Sequence, residues 1–471
     1  MSLVERPPAL NVRAGAPVAA AGSQRAGTAK PASADVGPVR IEVPLPSVGA
    51  HLTWMAILLI VMVGKVTEWV PGISGLPLAK VAFLFVVIFT ARVWHKLVPV
   101  RVISLRIAKP AIAFLILSIV SVFFSIYKSN TLITSEASVI MLVTFVMLVK
   151  ITQTTHDVER MLLALVGSAV SLTAGVLLNY SGGRAHINDN FDPNDIAYVL
   201  DTLLPVVIAY GAAHSKRWKW AGYGLALLMI LAILLTGSRG GVIGLGVVVL
   251  GLFAYPLRFA SSGELRGFAP VGLVVKLACV ALLGGAVWGN LPADTQERLA
   301  TLVDLTHDYN ADPHLNQSRT VLWRRDIELA LRRPIGYGLG SAPAADGHAG
   351  GQYLTAHNSL VQAFLELGAL GLVLFVWSYV ISWKELGKIS RTGVQKSVDR
   401  ERAKAALYAR ALRMGLIGNF TAGFFLSEAY SPCLWMVLAI CAALVHITTM
   451  ACTASDNPAG LSAPARATAA A

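Results

Sequence analysis

Arginine stands in this chain at places where charge is otherwise scarce. Arg184 lies in Ser181-Gly-Gly-Arg184-Ala-His186, and Asp192-Pro193-Asn194-Asp195 follows it. Arg239 lies in Thr236-Gly-Ser238-Arg239-Gly-Gly241. A third cluster runs Ser318-Arg319-Thr-Val-Leu-Trp323-Arg324-Arg325-Asp326 and leads into Pro334-Ile-Gly336-Tyr-Gly338-Leu-Gly340. A fourth, Thr355-Ala-His357-Asn358-Ser359, holds a single histidine. A guanidinium keeps its charge and presents paired donors that match phosphate oxygens. Several such forks beside one histidine suit a diphosphate-linked donor. Transfer of a group from a diphosphate asks for two things. The departing diphosphate gains charge and needs cationic clamps. The acceptor hydroxyl needs a positioned base. The diphosphate is already a good leaving group, so no carboxylic general acid is required.

Each element has a structural use as well. Asp192 before Pro193 is a good helix N-cap with proline at the first helical position. Arg239 suits a snorkelling interface anchor. Residues 318–333 read as an amphipathic helix whose arginines form a solvated face, with Val321, Leu322, Leu329 and Leu331 turned to membrane or core. His357 alone suits a satisfied interface histidine. The constellation, and not any single member, favours the phosphate chemistry.

Elements able to position these groups follow from composition. Of 471 residues, 55% are hydrophobic and 14% charged, against roughly 25% charged in soluble proteins. The mean hydropathy is +0.63. The chain therefore reads as an integral membrane protein. Its net charge of +13 fits basic cytoplasmic loops better than nucleic acid. Cys279, Cys433, Cys441 and Cys452 have no metal-like spacing and predict neither a zinc site nor a disulfide framework.

About twelve apolar runs are long enough to cross a bilayer. They lie near 52–71, 78–95, 110–127, 134–151, 160–179, 196–213, 219–236, 240–257, 270–291, 357–383, 405–427 and 431–450. Residues 1–50 and 451–471 are Ala-rich tails, read as disordered. The first tail is too long and polar for a signal peptide, so the first span is expected to stay uncleaved. Basic residues alternate by loop. Arg92, Lys96, Arg101, Arg106 and Lys109 follow span two, and Lys216, Arg217 and Lys219 follow span six. Lys384, Lys388, Arg391, Lys396, Arg400, Arg402 and Lys404 follow span ten. The positive-inside rule then puts both termini in the cytoplasm and the long loop 292–356 outside. All four clusters fall on that outer side, where no ATP is present.

In the order of these motifs the chain resembles the O-antigen ligase and polymerase superfamily, over roughly residues 50–450. Asp192-Pro193-Asn194 precedes a span, Ser238-Arg239-Gly240 joins two spans, Arg319 comes with Trp323, and Pro334-Ile-Gly336-Tyr-Gly338 precedes His357-Asn358. Ten residues separate His357 from Gly368, a spacing similar to the histidine–glycine pattern of ligases. The combination is specific for the superfamily and separates ligase from polymerase poorly. The resemblance implies an all-α, GT-C-like fold of about twelve transmembrane helices with an amphipathic helix of a periplasmic loop capping the site. It also implies an undecaprenyl-diphosphate donor, no metal and no other cofactor.

The expectation is a multi-pass protein of the bacterial inner membrane with a periplasmic active site. Its reaction is ligation of O-antigen polysaccharide to lipid A-core oligosaccharide. His357 acts on the acceptor hydroxyl, and Arg184, Arg239 and Arg319 bind the diphosphate. Asn194 and Asn358 are supporting polar groups. Within the class the rivals are an O-antigen polymerase and a protein O-oligosaccharyltransferase, whose relatives often carry a larger soluble C-terminal region. A secondary transporter is the rival outside it, but the halves show no repeat and the charged clusters lie outside the bilayer midplane. Asp201, Lys276, Glu366, Arg413 and Glu428 fall in or near apolar runs. Glu366 is nine residues past His357, too far along a helix to share its ligand, Glu428 reads as close to the outer surface, and the rest read mainly as structural pairs or interface residues.

Overall fold

The computed structural model describes residues 49–73, 75–188, 191–255, 288–302, 314–395 and 400–456, with 257, 285 and 312 as single positions. The N-terminal tail, most of the C-terminal tail, most of the expected span at 270–291, and with it Lys276 and Cys279, lie outside the described residues. Among the described residues every regular element is a helix. In chain order these are α1 Ala50–Gly64, α2 Val66–Trp69, α3 Leu78–Val93, α4 Ala108–Val120, α5 Lys128–Ile151, α6 Thr155–Leu178, α7 Pro193–Ala213 and α8 Lys216–Leu235. Then follow α9 Arg239–Ala254, α10 Ala293–Ala300, α11 Arg319–Arg332, α12 Ala342–His348, α13 Ser359–Gln395, α14 Arg400–Gly423 and α15 Pro432–Asp456.

Seven of these, α3, α5, α6, α7, α8, α13 and α15, are long and apolar enough to cross a membrane. This is a multi-pass membrane protein. Three further apolar helices, at Ala50–Gly64, Ala108–Phe123 and Arg239–Ala254, are shorter. The 15 residues of α1 rise only about 22 Å, less than the ~30 Å hydrocarbon core. The expected first span is cut at Lys65, whose φ of 50° is left-handed, and resumes as the four-residue α2. The expected eleventh span, α14, carries Arg400, Glu401, Arg402, Lys404, Arg410 and Arg413 and is not among the seven. It nevertheless runs through the interior.

The core is organised around α7, which packs against α6, α8, α9 and α14. Its apolar residues cover the whole circumference, the pattern of a helix without a solvent face. Backbones approach closely there: a Cβ on Gly415 of α14 would collide with the Thr202 carbonyl of α7. Small residues permit such contacts between helices in lipid. Asp201 lies in the same contact, fully buried, and among the described residues neither carboxyl oxygen has a hydrogen-bond partner. That differs from the structural pair expected for it.

One helix is broken for a visible reason. Within α13, Gly368 has φ 70° and ψ −167°. The Pro334–Gly338 segment fills the break. Tyr337 N–H donates to the Leu365 carbonyl at 2.9 Å, Gly338 N–H donates to the Glu366 carbonyl at 2.8 Å, and Ala369 N–H donates to the Pro334 carbonyl at 3.0 Å. A Cβ on Gly368 would overlap the Pro334 oxygen. Non-helical backbone is tolerated at membrane depth only where protein or water satisfies it, and here the glycine-rich segment does so. Its glycines serve packing.

Candidate active site

At one end of the bundle, six separate stretches close around a cavity of about 330 Å³. Arg184, Asn194, Arg239, Arg319 and His357 all line it, so five of the six residues expected from sequence share one wall system. Asn358 does not line it. Its side chain is buried and its Oδ1 accepts from the N–H groups of Leu360 and Val361 at 2.9 and 3.2 Å. It caps α13.

The arginine side is assembled from turns and helix starts. Asp192 caps α7, its Oδ1 accepting from Asn194 N–H at 2.8 Å, with Pro193 at the first helical position. The cap therefore exists, and Asp192 also lines the cavity. Arg184 Nη2 donates to Asn194 Oδ1 at 2.7 Å and its Nε donates to the Thr236 carbonyl at 2.9 Å. Its guanidinium also stands 3.6 Å from Asp192 Oδ1. Arg184 is thus held between the α7 start and the α8–α9 turn. In that turn Ser238 caps α9, its Oγ accepting from Gly241 N–H at 3.1 Å. Arg239 is the first residue of α9 and donates through Nη1 to Thr301 Oγ1 at 2.8 Å. A cation at a helix N-terminus adds to the positive end of the helix dipole instead of cancelling it. Such a place favours an anion.

Two polar lining residues were not anticipated. Arg298, on α10, and Gln317, just before α11, face the cavity from the loop. Arg298 Nε is buried and has no hydrogen-bond partner among the described residues. Its carbonyl accepts from Thr301 Oγ1 at 2.7 Å, which ties it to the Arg239 anchor. Nothing in Asp294-Thr-Gln-Glu-Arg298 marks it, because it stands among mixed charges with no glycine turn. Arg319 begins α11, behind the Ser318 cap. The helix exists as expected, with Leu322 and Ala330 buried, but Leu331 is exposed and Asp326 fills a fully buried position instead.

The histidine side differs in character. His357 is half-buried at φ 47°. Burial is the main force lowering its pKa below the ordinary 6.5, and the Arg319 charge lowers it further against a smaller opposing effect of Asp192. The imidazole is therefore neutral at pH 7 and able to accept a proton. Glu428 lies in the α14–α15 turn at this end of the bundle. Burial pushes its carboxyl up. Glu366 stays away from His357 and accepts through Oε1 from Ala342 N–H at 3.2 Å.

A polytopic helical membrane protein with a cationic pocket and one neutral histidine at the bundle end is equipped to handle a phosphorylated substrate. Residues 224–376 match the O-antigen ligase family model, which supports a place for the chain in the O-antigen ligase and polymerase superfamily. The match supports glycosyltransferase activity of this general type on polysaccharide or lipid-linked substrates. It contains Arg239, Arg298, Arg319 and His357, while Arg184 and Asn194 precede it. No curated protein matches the chain.

Proposed function

We propose that this protein transfers O-antigen polysaccharide from undecaprenyl diphosphate to lipid A-core oligosaccharide, at the periplasmic face of the bacterial inner membrane. The observation that carries the reading is the convergence of Arg184, Arg239 and Arg319 with His357 on one cavity. The acceptor hydroxyl gives its proton to neutral His357 as its oxygen attacks the anomeric carbon. The bond from that carbon to the diphosphate breaks, and its electron pair leaves with the phosphate oxygen. The three arginines, with Arg298 beside them, meet the charge that builds there. Asn194 acts by holding Arg184, and Asn358 by capping the helix next to His357. Attack opposite the leaving diphosphate inverts the anomeric centre. The activated bond supplies the driving force, so the reaction needs neither ATP nor a metal.

The test is reconstitution of the purified protein with an undecaprenyl-diphosphate-linked glycan and lipid A-core. Product on lipid A-core supports ligation. Chain growth on the lipid diphosphate makes the protein a polymerase, and no transfer to either removes the proposal.

A further inference from the structure

The backbone at His357 lies in the left-handed region, which a residue with a side chain rarely adopts, and such a conformation persists only where its surroundings over-determine it. The surroundings are specific. On one side Trp323 Nε1 donates to the Ala356 carbonyl at 2.7 Å. At the residue itself, His357 N–H donates to Ser427 Oγ at 2.8 Å. On the other side Ser359 Oγ donates to the Leu426 carbonyl at 2.8 Å, and Glu428 N–H donates to Ser359 Oγ at 3.0 Å. The α14–α15 turn and the start of α13 are thus laced together through residues 426–428 and 357–359.

The imidazole ring, in contrast, has no hydrogen-bond partner among the described residues. Histidine bases are usually aimed by a carboxylate or carbonyl on the second ring nitrogen. Here that support is missing, so the direction of the ring is inherited from the backbone. We infer that Ser427 is a positioning residue, its hydroxyl holding the left-handed backbone that aims His357 into the cavity. Ser427 lies beyond residue 376, where the family match ends. This inference rests on the reading of His357 as the base.

The experiment uses the full-length protein reconstituted with undecaprenyl-diphosphate-linked glycan and lipid A-core. Ser427→Ala is expected to lower kcat about ten- to hundredfold, the scale of a misplaced catalytic group, with donor KM within about twofold. Ser427→Thr keeps the hydroxyl and is expected to recover most of the rate. The acid limb of the kcat profile is expected to move up toward pH 6.5 in Ser427→Ala, as the imidazole loosens into water. In a His357→Ala background, Ser427→Ala is expected to cost nothing further, because non-additivity marks action through the same residue. A full additional loss in that background, or an unchanged kcat in folded Ser427→Ala, overturns the inference while leaving the base assignment intact. A normal rate in His357→Ala removes both. Should Ser427→Ala fail to fold, Ser427→Cys carries the test, since a thiol is a weaker acceptor of similar size and an intermediate rate is expected.

Discussion

The two sides of the cavity are built by different means. On the arginine side the helix caps are local, although Arg184 and Arg239 are also tied to Thr236 and Thr301, 52 and 62 positions away. Arg184, Asp192 and Asn194 belong to one loop and helix start, and Arg239 follows its own Ser238 cap. On the histidine side the residues that hold the geometry are far apart in the chain: Trp323 is 34 and Ser427 is 70 positions from His357 by their numbering. One side places fixed charge and tolerates small shifts, because Coulomb attraction falls off slowly with distance. The other places a ring that must meet one hydroxyl, and a shift of about 1 Å there can cost a hundredfold.

That contrast can be broken most directly at His357. His357→Ala is expected to lower turnover about 10²–10⁴-fold, the range of a positioned base, while donor binding stays nearly normal. Transfer at the normal rate by well-expressed protein would return His357 to a structural role. Arg239→Lys keeps the charge and loses the fork, so it sharpens the arginine half. Loss of charge-assisted hydrogen bonds worth about 1.5–3 kcal/mol is expected to weaken donor affinity and turnover together, roughly 10- to 100-fold. A variant that loses turnover alone, with unchanged donor affinity, would show that the two sides are not divided as described.

The support under α11 gives a smaller effect with a definite pH sign. Asp326 is fully buried on the helix that carries Arg319 and Trp323, and neither oxygen has a hydrogen-bond partner among the described residues. Burial, then Asp346, raise its carboxyl to about 7 against the opposing charge of Arg325, with Glu366 adding a lesser push upward. A carboxyl whose folded value is raised stabilises the fold at low pH. That contribution falls as pH rises from the unfolded value of 3.8 to about 7 and is gone above it. Asp326→Asn is expected to gain on the parent protein across that window, by at most about 4 kcal/mol, and to hold a constant lead above it. Thermal unfolding in detergent between pH 5 and 8 measures this, and a pH-independent gap means Asp326 is not the titrating group. The smallest effect is expected from EDTA: transfer assayed without ATP is expected to be unchanged by the chelator. Loss restored by a divalent ion would move the Asp189–Asp195 segment, whose Asp189 lies outside the described residues, from a cap to a metal site.

The sequence by itself determined what depends on neighbours along the chain. Seven apolar helices of membrane length, the Asp192 cap and the amphipathic helix at 319–332 rest on local properties, and they are present among the described residues. Five of the six candidate residues named from residue type and order line one cavity. Only the tertiary structure decided that Pro334–Gly338 plugs the break at Gly368, that Asn358 caps a helix, that Arg298 enters the cavity and that Ser427 holds His357. In each of these cases the deciding contact joins residues distant in the chain or competes with an equally good local use. A hydrophobic run or a cap is written in adjacent residues, whereas the partner that satisfies a distant N–H or carbonyl exists only once helices have packed.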